Sequence, residues 1–231
     1  MTVGVIFLSL AATPELRVMT QKAVNSCISS DPDIKFKVLV CEGIPGIKYA
    51  GAKVINPSTE KPFNYNEYMN TCRSHYMFEG CDYIALCNND LLFGKDWATN
   101  LIKKMKEKDA LSACPMEPTI HAHVKFEDGV SEGYNVTVRD RHVAGWCIFQ
   151  DMSIYSITGD LNTECSFWHS DVIYSMQLKE NAIRHILVEE AKVHHLTSQT
   201  LNSHVINDQQ REVLTYGQDK NLVAFQATQN N

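Results

Sequence analysis

The order in which apolar runs and helix starts follow one another constrains this chain more than any other feature. Val3 to Leu10 is a continuous apolar run of strand length. Thr13 and Pro14 follow it as an N-cap and a first helical residue, and Leu16, Val18, Met19, Ala23, Val24 and Cys27 then recur at helical spacing. Phe36–Cys41 and Ala52–Ile55 read as a second and a third strand, punctuated by the turn residues of Gly43 to Gly46. A helical stretch over Asn66–Phe78, a buried strand over Tyr83–Cys87, and a helix with Asp96 as its cap and Trp97, Leu101, Ile102 and Met105 on its apolar face complete the series. Strands that alternate with helices in this way require crossover connections and hence a mainly parallel sheet with helices on its faces. Ligands of such sheets bind beyond the carboxyl ends of the strands, so the polar loops there are the places to search.

From Ile120 to Phe149 the pattern changes to period-two alternation. A turn at Glu127–Gly129 between strands over His121–Phe126 and Tyr134–Val138 predicts a small antiparallel hairpin. A helix over 167–181, a strand near Arg184–Val188 and a Gln/Asn-rich tail follow, with a helix expected within Val205–Phe225. The expected class is α/β: a Rossmann-like, mixed and mainly parallel sheet flanked by helices, with the hairpin added. Residues 1–204 form the expected domain, with a first half over 1–115, a second over 116–204, and a C-terminal helix and frayed tail over 205–231.

Composition narrows the function classes. The 231 residues carry 21 Lys and Arg against 27 Asp and Glu, a formal net charge of −6, which argues against holding nucleic acid by general electrostatic attraction. No apolar run approaches the roughly 20 residues needed to span a bilayer. No Lys or Arg precedes the apolar segment at Val3–Ala12, so it reads as a buried strand, not a leader, and a cytoplasmic location is expected. The 8 cysteines include no C-x-x-C pair and lie largely in apolar runs, as reduced core thiols do. His121 and His123 would share a strand face, but without a third partner a zinc site is not expected.

The strand over Tyr83–Cys87 runs into Asn88-Asn89-Asp90. In extended chain Asn88 and Asp90 point to one side and could share a hard cation, while Asn89 points away. The same three residue types also favour turns and helix caps for local reasons.

In this context the residues resemble a known family. Tyr83–Asp90, with Phe93 and Trp97, is similar to the D-x-D region of family 2 glycosyltransferases of the GT-A fold. Phe63–Asn70 resembles the Asn-bearing helix start that precedes it, and Val143–Phe149 with Ile157–Gly159 resembles the acceptor-side strand and the helix and glycine after it. Phe167–Tyr174 with Gln177 and Leu178 resembles the segment that presents a catalytic Asp at a helix start. Ala191–His195 with Ser198 resembles the closing Val-x-His-x-x-Ser segment. The segments occur in the family's order over about residues 3–200. The sequence departs from the pattern at Asn88, where the first Asp is common, at Ser170, where Glu often stands, and at Ile173, where a second Asp often lies.

The resemblance implies a compact, bacterial or bacteriophage type of enzyme that moves a sugar from a nucleotide-diphosphate sugar, a UDP-sugar foremost, with Mn²⁺ or Mg²⁺ as cofactor. It implies Asp171 as general base of an inverting transfer, and Asp90, Asn88 and His195 or His194 as metal contacts. Ser9, Leu10, Glu42, Asn70, Arg73 and Asn89 would meet the nucleotide sugar. Gly145, Trp146 and Trp168 would meet the acceptor, either a cell-surface saccharide or a hydroxymethylated base, hydroxymethylcytosine, in phage DNA. A catalytically silent nucleotide-sugar-binding or scaffold domain is the alternative, suggested by Ser170 and Ile173. Oligomeric state is not legible.

Overall fold

The computed structural model of the protein describes residues 1–57, 63–137, 141–165 and 169–196. Trp168 and the expected helix within Val205–Phe225 lie outside the described residues. Strands β1 (Thr2–Ser9), β2 (Lys35–Glu42), β3 (Lys53–Ile55) and β4 (Tyr83–Asn88) form the parallel part, in the order β3-β2-β1-β4. Next to β4 lies β8 (Cys147–Asp151), antiparallel to it, then β6 (Ser112–Met116), β9 (His185–His195) and β5 (Leu91–Phe93). A short β7 (Val130–Glu132) pairs with β9. Five helices, α1 (Pro14–Ser29), α2 (Tyr65–Arg73), α3 (Trp97–Lys108), α4 (Tyr155–Thr158) and α5 (Ser170–Glu180), connect the strands among the described residues. The mixed, mainly parallel sheet flanked by helices is the expected α/β class, and no described helix is long and apolar enough to cross a membrane.

Local chemistry accounts for the elements. β1 is apolar almost throughout because both its faces are covered, with Val3, Val5, Ile6 and Phe7 fully buried. Gly4 gives the side chain of Phe78 its place, since a Cβ there would lie 2.6 Å from the Phe78 ring. Thr13 caps α1 by accepting from Leu16 N–H at 3.3 Å, with Pro14 in the first turn. At α3 the expected cap is displaced: Asp96 is left-handed (φ 56°) and makes no side-chain cap bond. The buried Asp31 takes the role instead, accepting from Thr99 N–H at 2.7 Å and from the Thr99 hydroxyl at 3.0 Å.

Two other expectations are corrected. The turn at Glu127–Gly129 exists, with left-handed Asp128 and Gly129, but the strand expected over His121–Phe126 is absent. Residues 118–123 are turns organised by the Glu117 carboxylate, which accepts from Thr119 and Ile120 N–H at 2.8 and 2.6 Å. Only Val130–Glu132 forms a strand after the turn, and it pairs with β9 instead of completing a hairpin. β9 is also longer than the apolar run at 184–188, because the exposed Glu189 and Glu190 interrupt its pattern without interrupting the strand.

Behind the sheet runs a buried chain of hydrogen bonds. Tyr155 donates to Gln150, which donates to the Tyr174 hydroxyl at 2.8 Å; Tyr174 meets Ser112 at 2.7 Å, and Ser112 meets His185 Nδ1 at 2.7 Å. His185 Nε2 in turn reaches the His142 carbonyl at 3.0 Å. Donating there requires the ring proton on Nε2 and leaves Nδ1 to accept from Ser112. Burial holds the His185 imidazole down at about 4, against 6.5 for a free histidine. The unfolded chain therefore binds a proton below pH 6.5 that the folded chain refuses until about pH 4. Stability should fall as pH drops through that window, by roughly 2 kcal/mol from this residue between pH 7 and 4.5. Urea unfolding of wild type and His185→Gln across that range should show the steeper loss in wild type.

Candidate active site

Strand register gathers the polar residues at one edge. Ser9 pairs with Glu42 and Leu8 with Asn88, so β1, β2 and β4 end level with one another. Because β8 is antiparallel to β4, its beginning lies at the same edge, and Asn88 N–H donates to the Trp146 carbonyl at 2.9 Å. β6 and β9 both run antiparallel to β8's direction, so His121 after β6 and His195 at the end of β9 come to this edge as well.

On the β1–β2 side lies a closed polar network. Glu42 is fully buried, and its carboxylate accepts from Ala11 N–H at 2.9 Å, Ile44 N–H at 3.0 Å, Ser9 Oγ at 2.7 Å and Tyr49 OH at 2.7 Å. Burial, aided by this carboxylate, pushes the Tyr49 hydroxyl up to about 12, so it remains a donor. Asn89 Nδ2 reaches Ser9 Oγ at 3.1 Å and Thr20 Oγ1 at 2.8 Å. With the Ser9 proton given to Glu42 and the Thr20 proton to the Leu16 carbonyl at 3.0 Å, both hydroxyls are left as acceptors for the two amide hydrogens of Asn89. Glu42 thus spends both carboxylate oxygens and Asn89 its amide hydrogens inside the protein, and they shape the loop after β1, where Leu10 packs against Gly43. Glu42 presents no free group to a nucleotide, as a direct contact would need.

The residues of α2 are likewise committed. Asn70 pairs with both backbone groups of Leu161, donating to its carbonyl and accepting from its N–H at 2.9 Å each. Asn66 donates to the Asn162 carbonyl at 2.6 Å and Asn64 to that of Thr163 at 2.8 Å. Arg73 is paired with Asp160 and lies 3.7 Å over the Tyr155 ring. Asn70 and Arg73, expected at the nucleotide sugar, fasten Leu161 and Asp160 to α2, and Arg73 Nε is left without a hydrogen bond.

At the end of β4 the situation is reversed. Asp90 is 4% exposed, and its Oδ1 lies 3.2 Å from Nε2 of His195. This contact is close without being a hydrogen bond: Asp90 Oδ1 and both ring nitrogens of His195 have no hydrogen-bond partner. Buried groups left so cost about 1–3 kcal/mol each. Two adjacent ligands of an octahedral ion with bonds near 2.1 Å stand about 3 Å apart, so the pair fits a divalent cation. The pairing of Leu91 with His195 fixes this placement, and strand alternation sends His194 outward, where it is exposed. Of the two histidines, His195 alone meets Asp90. Among the described residues no group of three or more His, Cys, Asp or Glu encloses a metal site, so an ion held here would take further ligands from bound molecules or water.

Trp146, 4% exposed, stacks on His195 with ring centroids 5.5 Å apart. Gly145 before it is a close-approach position: a Cβ there would lie 3.2 Å from Cβ of Asp171, in the first turn of α5. Asp171 Oδ2 stands 3.9 Å from Arg141 Nη1. Tyr65, buried at the start of α2, donates to the Gly145 carbonyl at 3.0 Å. Burial, together with neighbouring acidic groups that include Asp171 and Asp90, pushes its hydroxyl well up, so it stays protonated between the two carboxylates. Neither Tyr65 nor Arg141 was expected here. A lone aromatic after a helix start and a lone Arg in a loop carry no signal until the fold joins them. His121 is buried and His123 exposed, so they do not share a face.

No family model and no curated protein matches the sequence. Among solved structures the chain resembles S. aureus TarS, residues 1–349, a GT-A-like glycosyltransferase, with a TM-score of 0.55 and 12% identity. The likeness is one of fold, a mixed and mainly parallel sheet flanked by helices. The match covers 84% of this chain and spans 59% of the TarS chain.

The satisfied and unsatisfied polar residues should respond oppositely to substitution. Asn89→Asp removes both amide donors and places a carboxylate beside Glu42, and should cost about 2 kcal/mol or more. Asp90→Asn should leave stability in the absence of divalent ions within about 1 kcal/mol of wild type, because Asp90 Oδ1 has no bond to lose. Denaturant unfolding of both variants checks the contrast.

Proposed function

We propose that the protein is a metal-dependent glycosyltransferase that moves a sugar from a nucleotide-diphosphate sugar, a UDP-sugar foremost, to an acceptor hydroxyl with inversion. The observation that carries this is the pair of unsatisfied Asp90 and His195 at the same sheet edge as Asp171, and the likeness of the fold to that of TarS supports it. The nucleotide lies over the ends of β1 and β2, where Ser9 and Leu10 border a loop held in shape by Glu42 and Asn89. Asp90 and His195 would hold Mn²⁺ or Mg²⁺, whose charge would stabilise the departing diphosphate. Asp171 takes the proton of the acceptor hydroxyl as that oxygen bonds to the anomeric carbon and the bond from that carbon to the diphosphate oxygen breaks. Tyr65 holds the Gly145 carbonyl and so keeps the backbone on which Asp171 rests in place. Trp146 presents a wall against which a sugar ring could pack.

The acceptor is a saccharide hydroxyl or that of a hydroxymethylated base, and a salt-sensitive gel shift on hydroxymethylcytosine DNA tells them apart. The catalytic reading is tested with the protein, manganese and a panel of UDP-, GDP- and dTDP-sugars. Slow donor hydrolysis is expected with one of them, and Asp171→Asn should lower it by about 10²–10⁴-fold while nucleotide binding persists. Absence of hydrolysis and binding with every donor would sink the proposal; hydrolysis at the wild-type rate in Asp171→Asn would remove Asp171 as base.

A further inference from the structure

One cluster beside this centre holds nitrogens that the chemistry just described does not use. Arg141, His121 and Trp146 together hold three buried nitrogens without hydrogen-bond partners: Arg141 Nε, His121 Nε2 and Trp146 Nε1. Trp146 and His121 are ring neighbours, with centroids 6.0 Å apart. Arg141 is the foremost of the charged groups that help burial hold the His121 imidazole down at about 4. His121 Nδ1 accepts from Glu117 N–H at 2.8 Å, so the single proton of the neutral ring sits on Nε2. All three orphaned atoms are therefore donors. A cation has nothing to bind there, whereas an oxyanion, which only accepts, would satisfy them.

The cluster also has an opening. The side chains of Arg141 and Asp171 are 24% and 19% exposed, while Trp146 and His121 are buried at 4% and 1%. Arg141 Nη1 stands 3.9 Å from Asp171 Oδ2, too far for a hydrogen bond, and no hydrogen bond to another described residue takes its guanidinium donors. The sheet order fixes which substrate this anion would belong to. β1 and β2 lie on one side of β4, and β8 and β6, which lead to Trp146 and His121, lie on the other. The cluster is thus across Asp90 from the nucleotide loop and next to Asp171.

We propose that Arg141, together with His121 and Trp146, is an oxyanion subsite for the acceptor: the molecule that receives the sugar carries a phosphate or carboxylate close to its reacting hydroxyl. Its place on the acceptor, as opposed to the donor, rests on the function proposed above. Arg141 would grip the anion and, by drawing it beside Asp171, orient the hydroxyl toward the base.

The test reads the three tryptophan indole N–H signals by NMR, without metal, as inorganic phosphate is added at constant ionic strength with chloride as the control. Trp146→Phe identifies the Trp146 signal, and Trp97, buried among Phe36, Phe93 and Phe149, is the internal reference. The expected result is a saturable shift of the Trp146 signal that chloride does not produce and that weakens at least tenfold in Arg141→Gln. A Trp146 signal indifferent to phosphate, or a shift of equal affinity in Arg141→Gln, overturns the subsite. Donor hydrolysis with manganese, measured separately, guards the other premise: a phosphate-dependent shift in a protein that turns over no nucleotide sugar overturns the assignment to an acceptor while leaving the anion site standing.

Discussion

The pairing of β8 against β4 is the constraint on which the rest of the site depends. Cys87 opposite Cys147 sets the register, with their sulfurs 3.6 Å apart in the core, and the Asn88–Trp146 backbone bond extends it past the last paired residues. Because β8 runs opposite to its neighbours, the segment that enters it, Gly145-Trp146, arrives at the edge where β1, β2 and β4 end. A parallel strand in that position would have sent the same residues to the far side of the sheet. Gly145 then admits Asp171, Trp146 backs His195, and Tyr65 ties the segment to α2. One slip of register would turn the side chains of β8 to the other face and undo these contacts.

Around this seam the polar residues divide into two kinds. Glu42, Asn89, Asn70, Asn66 and His185 are paired within the protein and hold loops, a helix and a strand in place. Asp90, His195, His121, Trp146 and Arg141 each retain at least one buried polar atom without a hydrogen bond. The first kind makes the scaffold rigid enough to tolerate the second, whose unmet bonding capacity is what a ligand can use. Trp97 Nε1 in the core and Arg73 Nε on α2 are also without a partner, but these five residues gather at one sheet edge, and that grouping marks the site.

The parallel half of the fold was legible because strands buried on both faces are apolar throughout and helix starts carry caps, as in Val3–Leu10 and Thr13-Pro14. β9 was only half legible: Glu189 and Glu190 face outward in the middle of a strand whose ends are buried, and a local pattern cannot reveal partners on both sides. The strand expected at His121–Phe126 failed for a related reason. Alternation there reflects a turn wound around the Glu117 carboxylate, and period two is no proof of pairing. Among site residues, Asp90, His195, Asp171, Gly145 and Trp146 came to one edge as their segments suggested. Asn70 and Glu42 were the right residue types in plausible places, yet only coordinates show that their donors and acceptors are already taken, while Arg73 and Asn89 have theirs taken in part. Arg141 and Tyr65 gave no local signal, since their importance lies in contacts across 30 and 80 residues of sequence.

The central claim is that Asp90 and His195 together bind a divalent ion that a nucleotide diphosphate completes. Electron paramagnetic resonance of Mn²⁺ measures it most directly, because the signal of the free ion is lost on binding. With UDP present, the protein should remove more free Mn²⁺ than UDP alone removes, and the Asp90→Asn/His195→Phe double variant, folded to the same extent, should remove no more than UDP alone. Equal depletion by wild type and the double variant would contradict the account.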